Sequence, residues 1–454
     1  MDSHRRRLVS LAHPVYLSLL ASVAAGIINT FWVSRLGGPA VAAVAVATNA
    51  ENVLLGVALV FASGTTVLVA HARGARDPAA VRAAVRGGWA LCAAITPVVA
   101  VGGFLLREPL SRLVLGGDGG PALPLAVSYF AVSMPGIAVF FAQQLVDGIL
   151  KGAGDTRTPM RLALLANGLI LLCDPLFIHL YGVPGAAAST VACRAVALGT
   201  GLLALRRAPL PREAAGAPPA LGVAASLRRT LTTGLPMSAD FTVRQAGTLA
   251  LVAVVARLGV TAVAAYAIAY KVLYVATMAF YAVRQAASIH TAHTLGAAGT
   301  PALRPGAAAT ARVRRAIGLQ AVLVSGCAGL AAALLLSVTA PVVMAAFGSG
   351  PAVAHQGVVF LRCIGPYLLL MGGFIALGGV FEGSGGAPVL LRVTVLGAAV
   401  QLPLAYGLSE WGLPGVCLAL TLGMAVQCAA VAAVLRRAWR PGQEETLRSP
   451  ARAV

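Results

Sequence analysis

Long apolar runs alternate along this chain with short polar breaks that carry arginine. About 20 mainly apolar residues make a membrane-crossing helix. The pattern yields twelve such runs, near residues 13–34, 40–70, 87–106, 122–148, 159–180, 184–205, 234–256, 261–294, 316–338, 353–380, 388–408 and 414–435. The second and eighth are long enough to tilt or to extend past the lipid. The expected fold is an all-α polytopic membrane protein with twelve transmembrane helices.

Composition supports that class. The chain is 59% hydrophobic and only 11% charged, with a mean hydropathy of +0.86; soluble domains carry about 25% charged residues. A formal charge of +20 would suit a nucleic-acid binder. Here, however, the arginines sit in short clusters between apolar runs, so no nucleic-acid partner is expected. Of the 34 Lys and Arg, 25 fall at the termini and in alternate breaks, and the opposite breaks hold only Arg35, Arg107, Arg112 and Arg257. Positive charge stays in the cytoplasm, so both termini are expected there, in a multi-pass protein of the plasma or inner membrane. The opening MDSHRRRLVSLAHP leads straight into the first run, and no cleavable signal is expected. The seven cysteines are scattered without a CxxC pair, which predicts neither a disulfide framework nor a metal site.

The two halves resemble each other. Pro14 pairs with Pro236 and Gly37 of RLG with Gly259 of RLG, each 222 residues apart; His71 of AHARGA and His293 of AHTLGA keep that offset. Pro135 pairs with Pro366 and Gly154 with Gly385, 231 apart, and Gly185 with Gly415, 230 apart. Six spans separate the mates, an even number, so both halves enter from the same side as a parallel, pseudo-two-fold repeat. The expected division is an N-terminal lobe at 1–207, a cytoplasmic linker at 208–228 rich in Pro, Ala and Gly, a C-terminal lobe at 229–438 and a cytoplasmic tail at 439–454.

These motifs carry a family resemblance. The Pro14…FWVSRLG opening, LVAHARGARD, LKGAGDTRTP, DPLFI…YGVPGAAAST and their second-half mates resemble the multidrug and toxic compound extrusion (MATE) transporters, the DinF-like branch among them. The resemblance implies two six-helix lobes working by alternating access. It implies a secondary antiporter that exports small amphipathic organic compounds against proton or sodium entry. An acid at the DP position then belongs to an ion-binding network of the N-terminal lobe.

The candidate residues follow. Asp174 interrupts the run LLANGLILLCDPLFI, and Pro175 behind it frees a backbone carbonyl one turn earlier. A charged group in the hydrocarbon costs about 2.5–3.5 kcal/mol. Two uses are open: a carboxyl that loads and unloads a coupling cation, or one hydrogen-bonded across helices for structure. The resemblance places a titratable acid of the DinF-like branch at Asn29, which cannot titrate although its amide still bonds. It also places an asparagine at Ile170; Asn167 lies two turns before Asp174 on a similar face. Tyr129 and Thr190 are further candidates for this cation-coupling set. In the seventh span Asp240 and Arg244, four apart, share a face; with Arg284 they suggest a substrate cavity or a second ion site, the other reading being a pair that neutralises itself. Pro14, in the first turns of span one, is a candidate hinge, the other reading being a static kink.

A lipid-linked oligosaccharide flippase of the same superfamily is the alternative. A membrane enzyme is not expected, because the spans contain no DDxxD, HExxH or GxSxG motif. No cofactor is expected beyond the coupling ion, H+ or Na+. The expected partners are membrane lipid and a small amphipathic organic substrate, the protein acting as a monomer.

Overall fold

In the computed structural model, residues 2–115, 120–208, 220–299, 307–348 and 350–438 are described. The central part of the expected linker (209–219) and the expected tail (439–454) lie outside them. The described chain is helical: α1 (Asp2–Ser34), α2 (Gly38–Gly74), α3 (Pro78–Leu105), α4 (Arg107–Leu115), α5 (Ala122–Gly152), α6 (Arg157–Tyr181), α7 (Val183–Arg207), α8 (Val223–Ala256), α9 (Val260–Ala298), α10 (Ala307–Ala346), α11 (Pro351–Cys363), α12 (Gly365–Gly383), α13 (Ala387–Leu408) and α14 (Gly412–Ala438).

Eleven apolar stretches among the described residues are long enough to cross a bilayer. The last, Ala387–Arg436, is 50 residues long, about 75 Å at 1.5 Å per residue, against a hydrocarbon core of about 30 Å. A 3-10 turn at Ser409–Trp411 and Gly412, at φ +71°, divide it into α13 and α14. Among the described residues the candidate crossings therefore number twelve, and the chain is a multi-pass membrane protein.

Helix ends depart from the apolar runs in a consistent direction. α1, α3, α8 and α10 all begin earlier than the runs they contain, because arginine-bearing turns continue the helix beyond the apolar part. Residues 223–228, expected in the linker, form the first turns of α8. The tenth crossing is broken at Ile364 into α11 and α12. Pro366 lacks an N–H for the carbonyl one turn back, and Gly365 before it holds a helix poorly. Its repeat mate Pro135 follows Met134, and α5 runs through it. The short α4, with exposed Leu110, Leu113 and Val114, lies between the third and fourth crossings.

Packing divides the chain into two units: residues 13–238, and residues 1–12 with 239–454. The division falls inside α1 and α8, close to the mated prolines Pro14 and Pro236. Within the second unit His4 Nδ1 and His290 Nε2 are 2.9 Å apart, holding the start of α1 against α9.

Each unit repeats the other's internal neighbours. In the first, α2 packs on α5, α6 on α7, α5 on α7 and α3 on α5; in the second, α9 packs on α12, α13 on α14, α12 on α14 and α10 on α12. The closest crossings rest on glycine. A Cβ on Gly148 would lie 2.8 Å from the Ala62 carbonyl oxygen, and one on Gly152 would lie 2.6 Å from that of Thr66. Gly379 and Gly383 press on the carbonyls of Arg284 and Ser288 in the same way. The two crossings are related by the offsets 222 and 231 seen in the sequence. Helices in lipid gain little from burying apolar surface against each other, so small residues that let backbones approach carry the association. Left-handed glycines repeat too: Gly37 and Gly259 at φ +98°, Gly154 and Gly385 at +79° and +80°.

Candidate functional site

In the first unit Asp174 is fully buried on α6, seven residues from the helix end at Tyr181, about 10 Å along the axis. Asn29 of α1 donates from Nδ2 to Asp174 Oδ2 at 2.7 Å. Ser189 of α7 is the other polar neighbour. Its Oγ lies beside the carboxyl, and both it and Asp174 Oδ1 are buried. No lysine or arginine among the described residues forms an ion pair with Asp174. Three helices thus bring together one acid, one neutral amide donor and one hydroxyl.

The other residues expected with Asp174 make no hydrogen bond to it. Asn167 Nδ2 donates to Ser22 Oγ at 3.3 Å, toward α1 but two turns away. Tyr129 and Thr190 line a small, partly open cavity with Glu51, Ser133, Phe140 and Arg194. There Arg194 lies 3.7 Å from Glu51 and its guanidinium sits 5.0 Å from the Phe140 ring centre. Pro14 lies within α1, which is helical on both sides of it.

In the second unit Asp240 and Arg244 of α8 form an ion pair, and Arg284 of α9 joins it. Arg284 Nη2 donates to Asp240 Oδ2 at 2.7 Å and to Glu382 Oε1 at 2.6 Å; its Nε reaches the same glutamate oxygen at 3.1 Å. Thr394 of α13 donates to Asp240 Oδ1 at 2.6 Å. The Arg244 guanidinium stands 5.8 Å from the Tyr281 ring centre. Both oxygens of Asp240 are therefore engaged. Sequence reasoning does not group Glu382 or Thr394 with Asp240: Glu382 meets Arg284 98 residues away and Thr394 meets Asp240 154 residues away, and no local pattern relates them. Ser189 was missed as well, since a serine among alanines in GAAAST carries no signal of its own.

The comparisons bear on this geometry through the repeat. A family model described as MatE matches residues 14–176 and again 236–407. The chain belongs to the MatE family. The two MatE matches begin 222 residues apart and end 231 apart, so the family unit is the repeat itself, and Asp174 lies near the end of the first copy. Among relatives, the chain is 27% identical over 200 residues to a probable multidrug resistance protein, YpnP, of Bacillus subtilis (strain 168), covering 43% of this chain and 44% of that one. It is 32% identical over 173 residues to a probable multidrug resistance protein, NorM, of Bradyrhizobium diazoefficiens, covering 37% and 36%. The chain thus matches less than half the length of these relatives. A solved MOP superfamily transporter from Pyrococcus furiosus superposes with a TM-score of 0.84 at 21% identity, covering 96% of this MatE chain and 95% of that one, which establishes the shared fold.

Proposed function

We propose that this MatE chain is a secondary exporter of small amphipathic organic compounds in the plasma membrane, driven by proton re-entry through Asp174. The observation that carries the reading is the state of that side chain: buried, hydrogen-bonded to a neutral amide and free of any paired cation among the described residues. A carboxylate so placed is poorly compensated, and binding a cation relieves it. A proton on Oδ1 would find Ser189 Oγ as an acceptor. Sodium would need several more oxygens than Asp174 and Ser189 supply. The relatives' names as multidrug resistance proteins support export, and the basic breaks support cytoplasmic termini.

Tyr129, Thr190, Glu51 and Arg194 are read as cavity lining beside the coupling acid. Pro14 and Pro236 sit where the chain passes from one packing unit to the other, and are read as the points that bend as access alternates. The activity is transport rather than catalysis, by a single chain in lipid. The test is uptake of a fluorescent amphipathic cation into inside-out vesicles under separately imposed proton and sodium gradients. Uptake should follow the proton gradient. Uptake under sodium alone transfers the coupling to that ion, and uptake under neither removes the antiport reading.

A further inference from the structure

The glycine crossings make positions in the two units comparable one by one. By the offset of α2 and α9, Arg284 takes the place of Ala62; by that of α5 and α12, Glu382 takes the place of Lys151 and Gly378 that of Asp147. The first unit has a methyl group at the crossing where the second has a guanidinium. That guanidinium is 6% exposed and lies between Asp240, 1% exposed, and Glu382, 13% exposed. Gly378 lies against it: a Cβ there would stand 3.4 Å from Arg284 Cζ, in van der Waals contact.

The charges close. Two carboxylates, Asp240 and Glu382, face two guanidinium groups, Arg244 and Arg284. Arg284 is the one that bridges both acids. Without it, two carboxylates and the Thr394 hydroxyl, from three different helices, would surround a buried space with one negative charge in excess. That is the donor set of a site for a monovalent cation.

We infer that Arg284 is a tethered cation, permanently filling a monovalent-cation site built from Asp240, Glu382 and Thr394, so that the second unit loads no exchangeable ion. The consequence that coupling falls on Asp174 alone rests on the antiport reading above; the site itself does not.

The probe is guanidinium at low millimolar concentration, with tetramethylammonium as control. The readout is thermal unfolding of the purified full chain in detergent. Arg284→Ala should unfold at a lower temperature than wild type. Guanidinium should raise that temperature by several degrees, saturably, as a ligand of the folded state does; tetramethylammonium should not, and wild type should respond to neither. Adding Glu382→Gln to Arg284→Ala restores neutrality around the Asp240–Arg244 pair. That double variant should be more stable than the single one and indifferent to guanidinium. If Arg284→Ala cannot be purified folded, recovery of folded protein in the double variant supports the proposal, and no recovery overturns it. An Arg284→Ala protein that ignores guanidinium, or a wild type that responds as strongly, also overturns it. Binding is read without transport, so failure here is separable from failure of the antiport reading.

Discussion

Asp174 and Asp240 are both carboxylates inside apolar helices, and their partners give them different fates. Asp174 has only neutral neighbours, the Asn29 amide and the Ser189 hydroxyl; Asp240 has two guanidinium groups and a hydroxyl. Replacing Asn29 with Leu should leave the chain folded and slow gradient-driven uptake, since Asp174 then loses its amide donor; unchanged rates would remove Asn29 from the network. Arg244 touches one acid and is 18% exposed, whereas Arg284 bridges two at 6%. Arg244→Leu should therefore lower the unfolding temperature less than Arg284→Ala does, and the reverse order would contradict the assigned roles. The acids were legible in the sequence because a charge in an apolar run stands out. Their partners were less so. Asn167 shares a face with Asp174 by its seven-residue spacing, yet that spacing also puts it about 10 Å along the axis, within reach of Ser22 instead.

At the scale of elements, glycine decides how closely helices cross. Gly148→Val would drive side-chain carbon into the Ala62 carbonyl, and overpacking of this kind costs about 1–3 kcal/mol. Gly168, with nothing within 4 Å of its Cβ position, should accept valine with little change; thermal unfolding of the two variants side by side checks the contrast. Gly259→Ala forces a side chain into the left-handed region at φ +98° and should lose about 1–2 kcal/mol, with Gly37→Ala losing a similar amount. The crossings were countable from hydropathy because the bilayer demands about 20 apolar residues whatever else a helix does. Helix ends were not, because arginine-bearing turns extend α1, α8 and α10 without adding hydropathy. The break at Ile364 was hidden for another reason: Pro135 and Pro366 look alike as landmarks, and the residue before each decides whether the helix survives.

The whole molecule is a duplicated scaffold whose copies have diverged in charge. Sequence landmarks at offsets 222 and 231 reappear as mated helix crossings, mated left-handed glycines and the two family matches. The repeat is therefore legible in the sequence itself. The packing boundaries were not, because the Pro, Ala and Gly content near 208–228 marks where the chain leaves a helix. It does not record which neighbours the two parts of α1 or α8 pack against. In this account one copy exchanges a cation at Asp174 and the other carries its own at Arg284. The most direct test is proton movement in inside-out vesicles energised to an acidic interior, with a pH-sensitive dye, comparing wild type with Asp174→Asn. Adding an amphipathic cation should discharge the gradient in wild-type vesicles and leave it standing in the variant, at equal amounts of folded protein. Discharge by Asp174→Asn at the wild-type rate would contradict the account.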